Sequence, residues 1–154
     1  MVDTLSSAER SRVMARIRSK DSKPEMVVRR LVHGMGFRFR LHRRDLPGTP
    51  DLVLAGRRKA IFVHGCFWHG HEGCRKFRMP RSNRRFWRAK IAANRSRDRR
   101  CVRALRRAGW SVATVWECRT ARPDDLQNRL RRFLECGCPG TDDGTLDWRP
   151  RSRL

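Results

Sequence analysis

Lys59-Ala60-Ile61-Phe62-Val63-His64-Gly65-Cys66-Phe67-Trp68-His69-Gly70-His71-Glu72-Gly73-Cys74 joins an apolar run to a loop dense in metal-binding and aromatic side chains. Residues 59–63 read as a buried strand. The eleven residues from His64 to Cys74 hold three histidines, two cysteines and two large aromatics, more than packing alone explains. A strand end so supplied points to an active site on a sheet, stapled by a metal.

Upstream, Pro47-Gly48-Thr49-Pro50 is a turn and Asp51-Leu52-Val53-Leu54 begins a second strand. Gly56-Arg57-Arg58 is short enough to join the two strands as a hairpin. Phe37-Arg38-Phe39-Arg40-Leu41 alternates as a half-buried strand does. Before it, Ser22 with Glu25 makes a capping box for a helix with Pro24 in its first turn and Gly34 or Gly36 near its end. Ser6 with Glu9 marks another helix over about 6–19, carrying Val13, Met14 and Ile17. Downstream, Ser82 caps a long helix to about Ala108 that Gly109 closes. Trp110–Trp116 reads as a buried strand and 124–134 as a last helix. This order predicts an α/β fold with a mixed central β-sheet flanked by helices. One domain over 1–136 is expected, with a loose tail over 137–154.

The chain carries 38 Lys plus Arg against 15 Asp plus Glu, a formal charge of +23. The excess is spread along the whole length, so a polyanion is the expected partner, since neutralising phosphates releases condensed counterions. Five of those cations are Lys; Arg, the better residue for forked phosphate contacts, supplies the rest. No apolar signal segment or stretch of roughly 20 apolar residues appears, which suggests a cytoplasmic, nucleoid-associated protein. In a reducing compartment the six cysteines read as ligands or buried thiols.

Cys66, His71 and Cys74 lie close in sequence, and Cys118 follows the strand ending at Trp116. If that strand runs parallel to 59–63, Cys118 reaches the Cys66 loop and completes a Cys3His structural Zn²⁺ site. Buried, unligated cysteines are the alternative. Cys101 reads as a core thiol, and Cys136 and Cys138 have no assigned role.

With His71 in such a site, His64 and His69 are left over. Pro50-Asp51, a hairpin, then Phe62-Val63-His64 follows the nuclease layout of Pro-Asp and acid-x-Lys, with Phe62 for the second acid and His64 for the Lys. In that layout Asp51 binds Mg²⁺ and His64 faces the attacked phosphate. An imidazole is suited to deprotonate water near neutral pH, which fits His69. Asp98 can orient His69, or it can pair with its neighbours Arg97, Arg99 and Arg100. Glu25 can serve the site, though the capping box also accounts for it. His33 and His42 receive no role.

Phe67, Trp68, Phe86 and Trp87 stand on a basic surface, where aromatic rings stack on bases or wedge between base steps; core packing is the usual alternative. Met14 and Ile17 are a second candidate wedge.

These features together resemble the very short patch repair (Vsr) endonuclease family. The resemblance rests on Pro47-Gly48-x-Pro50-Asp51, Phe62-x-His64-Gly65-Cys66-Phe67-Trp68-His69-x-His71, Phe86-Trp87-x-x-Lys90-Ile91, Asn94-x-x-x-Asp98 and Val115-Trp116-Glu117-Cys118. It implies a restriction-endonuclease-like fold and Mg²⁺-dependent, strand-specific nicking of double-stranded DNA at T:G mismatches left by 5-methylcytosine deamination. It implies that Asp51 and the main-chain carbonyl of Val63 bind Mg²⁺. His69 would be the general base, supported by Asp98, with His64 and Glu25 completing the site. Cys66, His71, Cys74 and Cys118 would hold Zn²⁺. Phe67, Trp68 and Trp87 would enter the duplex while the N-terminal helix, through Met14 and Ile17, grips the other groove. A monomer is expected, with downstream mismatch-repair proteins as further partners. Two other readings compete: a restriction-like nuclease acting on unmodified DNA, and a zinc-stabilised DNA-binding module without catalysis.

Overall fold

The computed structural model describes Glu9, Arg12 and residues 20–136. Met14 and Ile17 of the expected N-terminal helix, and the tail over 137–154 with Cys138, lie outside the described residues.

Helix α1 (Lys23–Gly34) starts as its sequence dictates. The Ser22 hydroxyl accepts the Glu25 N–H at 3.5 Å, and the Glu25 carboxylate accepts from the Ser22 hydroxyl at 2.9 Å and the Asp21 N–H at 3.0 Å. Val28 and Val32, four residues apart, are buried on its inner face. The chain then forms β1 (Arg40–Leu41), β2 (Leu52–Leu54), β3 (Lys59–His64), α2 (Arg84–Arg107), β4 (Ser111–Trp116) and α3 (Pro123–Glu135). Gly36 and Gly109, both at positive φ, end α1 and α2 in the same way. Each glycine N–H and the next N–H bond back to the last turn, as in a Schellman motif.

The sheet order is β1-β2-β3-β4, antiparallel at the first two pairings and parallel at the third. Helix α2 is the crossover that the parallel pair requires. Strand β3 is buried on both faces, which explains its unbroken apolar sequence. Ile61 joins Val28, Val32, Leu126, Leu130 and Leu134 under α1 and α3. Ala60 and Phe62 face the other way, against Leu105 of α2. The molecule is therefore an α/β sandwich with α1 and α3 on one face and α2 on the other.

Lys59 is 5% exposed because its ammonium reaches the C-terminal end of α3, where it donates to the Phe133 carbonyl and, at 2.5 Å, to that of Cys136. A cation there meets both the unpaired carbonyls and the negative end of the helix dipole.

Three expectations are corrected. Only Arg40–Leu41 of the strand read over 37–41 is paired, since β2 offers three residues and Phe37 and Phe39 pack on the core instead. Ser82 does not cap α2; Asn83 does, at φ 50 and without a side-chain bond, so the helix starts at Arg84. Strand β2 begins at Leu52, and Asp51 sits in a bend just before it.

Candidate functional site

One face of α2 holds the loop that leaves β3. Ile91, Asn94, Arg95 and Asp98 recur at helical spacing, and each meets a residue of the segment 68–72. The Asn94 amide donates to the Trp68 carbonyl at 2.8 Å. Asp98 Oδ2 lies 2.5 Å from His69 Nδ1, and Arg95 meets Glu72 at 2.6 Å. Gly70, at φ 64, lies so close to α2 that a Cβ would stand 2.6 Å from Ile91 Cγ2. No larger residue fits there without displacing the helix or the loop.

A carboxylate only accepts, so Asp98 places the proton on His69 Nδ1 and leaves Nε2 as a base. Burial raises the Asp98 carboxyl, but the His69 hydrogen bond and the nearby imidazoles and Arg97 outweigh it and hold the group below its usual range. His64 stacks on His69 with ring centroids 3.8 Å apart and planes 5° from parallel. Trp116 meets His64 edge-on at 5.5 Å. His64 is 8% exposed, and burial together with the neighbouring His69 pushes its pKa down to about 3. The sequence pattern has His64 facing the phosphate as a Lys would; in the structure it lines the same cleft as Asp51, with its ring stacked on His69.

Asp51 lies in a cleft that also exposes His69, Asp98, Glu25, Lys20 and Arg97. Freed from the β2 ladder, its Oδ2 accepts the Val63 N–H at 2.7 Å. Oδ1 points elsewhere, 3.8 Å from His42 Nδ1. Burial raises Asp51 to about 6, against the opposing Val63 hydrogen bond and with help from the Glu25 charge. Glu25 is 5% exposed; its Oε2 meets Arg29 at 3.1 Å and lies 3.7 Å from His42. His42 thus spans the two acids. The sequence reading gave His42 no role and did not single out Arg29 or Lys20, because nothing local marks a strand-end histidine or a surface cation.

The cysteines and His71 converge as expected, because β4 runs parallel to β3 with Trp116 opposite His64. The Sγ atoms of Cys66 and Cys118 lie 3.6 and 3.5 Å from His71 Nδ1. All four donor atoms, with that of Cys74, lie within 4.8 Å of one another. A tetrahedral ion with bonds of about 2.3 Å to sulfur and 2.0 Å to nitrogen requires an S···N edge of roughly 3.6 Å, so the set fits such an ion. Burial pushes the Cys66 thiol up when no ion is bound. His71 stacks on Trp116 at 4.2 Å, which fixes the plane of its ring. Glu117 ties the centre together, accepting from the Cys66 N–H at 3.3 Å and from Lys76 at 3.0 Å.

Phe67, Trp68 and Trp87 pack mutually, with centroids 5.2 to 6.1 Å apart. Trp87, expected at the DNA surface, is instead 6% exposed with its indole N–H buried and unpartnered. Phe67 and Trp68 are half-buried above it, and the exposed ring at the start of α2 is Phe86. Glu25 and Asp51, distant in sequence, are brought together with His69 and Asp98; the placement of Met14 and Ile17 falls outside the described residues.

A sequence profile of the family described as DNA mismatch endonuclease Vsr matches residues 2–76. The chain is 52% identical over 135 residues to a type II nicking enzyme, V.XorIIP, of Xanthomonas oryzae pv. oryzae, covering 88% of this chain and 98% of that one. It is 42% identical over 142 residues to the DNA mismatch endonuclease Vsr of Escherichia coli, covering 89% and 90%. It is 40% identical over 134 residues to the type II nicking enzyme V.NmeAIP of Neisseria meningitidis, covering 87% and 95%.

Proposed function

The chain is a DNA endonuclease belonging to the Vsr family, and from that premise we propose that it nicks one strand of duplex DNA at T:G mismatches with Mg²⁺ as cofactor. The observation that carries the reading is the meeting, in one cleft, of a desolvated carboxylate at Asp51 and an oriented imidazole at His69. A binding module has no use for that pair.

The donors suit a hard divalent cation. Asp51 Oδ1 and the Val63 carbonyl would be its oxygen ligands, and so small a protein set would leave room for water and phosphate oxygens. Mg²⁺ would polarise the phosphate and offset the charge that builds on it. Val63 contributes through its backbone, so its apolar side chain is no obstacle.

Hydrolysis then follows from the chain's own groups. His69 Nε2 takes a proton from water as the water oxygen bonds to phosphorus and the opposite P–O bond breaks. Asp98 holds the Nδ1 proton and steadies the imidazolium that results. His64 acts through His69, keeping its ring plane by stacking. Lys20 and Arg97 line the cleft and supply fixed positive charge, the part that a Lys plays in related sites. Glu25, held by Arg29 and Ser22, adds negative charge beside Asp51 and strengthens its hold on a cation.

Zn²⁺ is the ion that Cys66, His71, Cys74 and Cys118 would hold, as a structural centre. It would fix the loop bearing His69 at its correct distance from Asp51. Phe67 and Trp68 crown that loop, and we assign them to wedging beside the mismatch, with Trp87 beneath.

Nicking of T:G and T:A duplexes of otherwise identical sequence tests the assignment. Cleavage of the T:G strand alone, only with Mg²⁺, is expected; equal cleavage of both duplexes would point to a nuclease for unmodified DNA.

A further inference from the structure

A second groove lies on the β4 side of α2. It shares the wall made by His64, His69 and Asp98 with the Asp51 cleft, but Asp51 and Glu25 do not line it. Its floor is Val112, Thr114 and Trp116, and its helical wall carries Arg95, Arg99, Arg103 and Arg106. At 100° per residue these four fall within an arc of roughly 80° on α2. Arg95 is matched by Glu72. Arg99, Arg103 and Arg106 are exposed and have no acidic partner among the described residues.

A row of arginines along a helix is usually a solvated face. Here the row borders a concavity with an apolar floor, which keeps water from screening it and focuses its field inward. Three cations converging on such a groove call for negative charge from outside. They are spread over roughly 10 Å of helix axis, against ~3.4 Å of rise per nucleotide of a DNA strand. A single carboxylate or free phosphate would leave two of them unmatched, whereas a phosphodiester backbone presents charges at repeated intervals. Arginine also suits it, because its fork takes two phosphate oxygens at once.

We propose that the groove between α2 and β4 is a second DNA-backbone site, in which Arg99, Arg103 and Arg106 engage successive phosphates outside the catalytic cleft. The assignment rests on duplex DNA being the substrate. It gives these arginines a part in holding the strand but none in the reaction at the scissile bond.

The test is the salt dependence of binding to a T:G duplex without Mg²⁺, between about 50 and 200 mM salt. The full-length wild-type protein is compared with Arg99→Gln, with the triple Arg99→Gln/Arg103→Gln/Arg106→Gln variant, and with Arg131→Gln on α3, across the sheet. The slope of log K against log salt should shrink by about one per arginine lost and by about three in the triple variant. Arg131→Gln should leave it unchanged, and the triple Lys variant should restore most of it. Thermal melting of each variant confirms that it folds, and the nicked position should not move. A slope in the triple variant equal to wild type overturns the proposal and leaves an acidic protein segment as the groove's occupant. If the slope falls but wild type nicks no T:G duplex, the backbone site stands and the mismatch assignment fails. If nicking is specific and the slope is unmoved, only the backbone site fails.

Discussion

His69 Nδ1 and Asp98 Oδ2 are 2.5 Å apart, joining a loop after β3 to the middle of α2 across 29 residues of sequence. That contact fixes the tautomer of His69, and the stacked ring of His64 fixes its plane. On the proposed mechanism, the base is therefore aimed before any substrate arrives.

Asp98→Asn replaces an acceptor with a group whose amide can also present N–H, and so favours the wrong tautomer. Single-turnover nicking is expected to fall by about 10²- to 10⁴-fold, the span typical of a general base, with DNA affinity little changed. His69→Ala should fall by a similar amount. A variant of either kind that nicks at the wild-type rate would remove the base assignment.

Asp51→Asn retains an acceptor for the Val63 N–H but cannot ionise. Asp51 rises from 3.8 to about 6 in the fold, so the folded state resists its ionisation. The resulting destabilisation is absent below about pH 4, grows as pH rises, and is complete above about pH 6. Two pKa units correspond to about 3 kcal/mol. The variant should therefore lose nicking yet melt several degrees higher than wild type at pH 7.5 without added Mg²⁺, with no gain at pH 4. Calorimetry at the two pH values checks both signs.

His64 runs in the opposite direction. Its folded pKa of about 3 lies below the ordinary 6.5, so the stability from keeping it neutral is full above pH 6.5 and is lost as pH falls toward 3. Nitrogen-15 NMR should find its ring still neutral at pH 4.5; a protonated His64 at that pH would contradict its burial. Because Asp51 offsets part of this loss in the wild type, Asp51→Asn should show the acid destabilisation more fully.

Cys118→Ser removes the one ligand that β4 brings to the centre. Metal analysis of the wild type should find about one zinc per chain, and the variant should hold much less and melt lower, since metal binding in such sites is folding free energy. A wild type free of zinc after purification without chelators would refute the structural centre.

Asn94→Ala breaks the hydrogen bond to the Trp68 carbonyl. Its stability cost should be about 1 kcal/mol, the net worth of one such bond. Nicking should suffer more than stability, because Trp68 and His69 are adjacent and a shift in one moves the other. Measured kcat and melting temperature falling only in proportion would make Asn94 a purely structural residue.

Much of the site was legible where chemistry clusters in sequence. Cys66, His71 and Cys74 lie within one loop, and Cys118 was expected beside them on the condition that its strand runs parallel to β3, which it does. The hairpin that carries Asp51 and Val63 was marked by its turn residues. The capping box at Ser22 was read correctly, and it hid a second circumstance: the same Glu25 carboxylate faces Asp51. His42 carried no local signal at all.

The sequence by itself determined the order of elements, because that depends on alternation, helical period and turn residues, and its local clustering marked Cys66, His71 and Cys74 as candidate ligands and Asp51 and His69 as candidate acid and base. Only the tertiary structure decided which of those side chains meet water. It buried His64 under His69, sank Trp87 beneath Phe67 and Trp68, and set His42 between two acids. Exposure and charge coupling arise between residues far apart in the chain, so they exist only after α1, α2 and the sheet have packed.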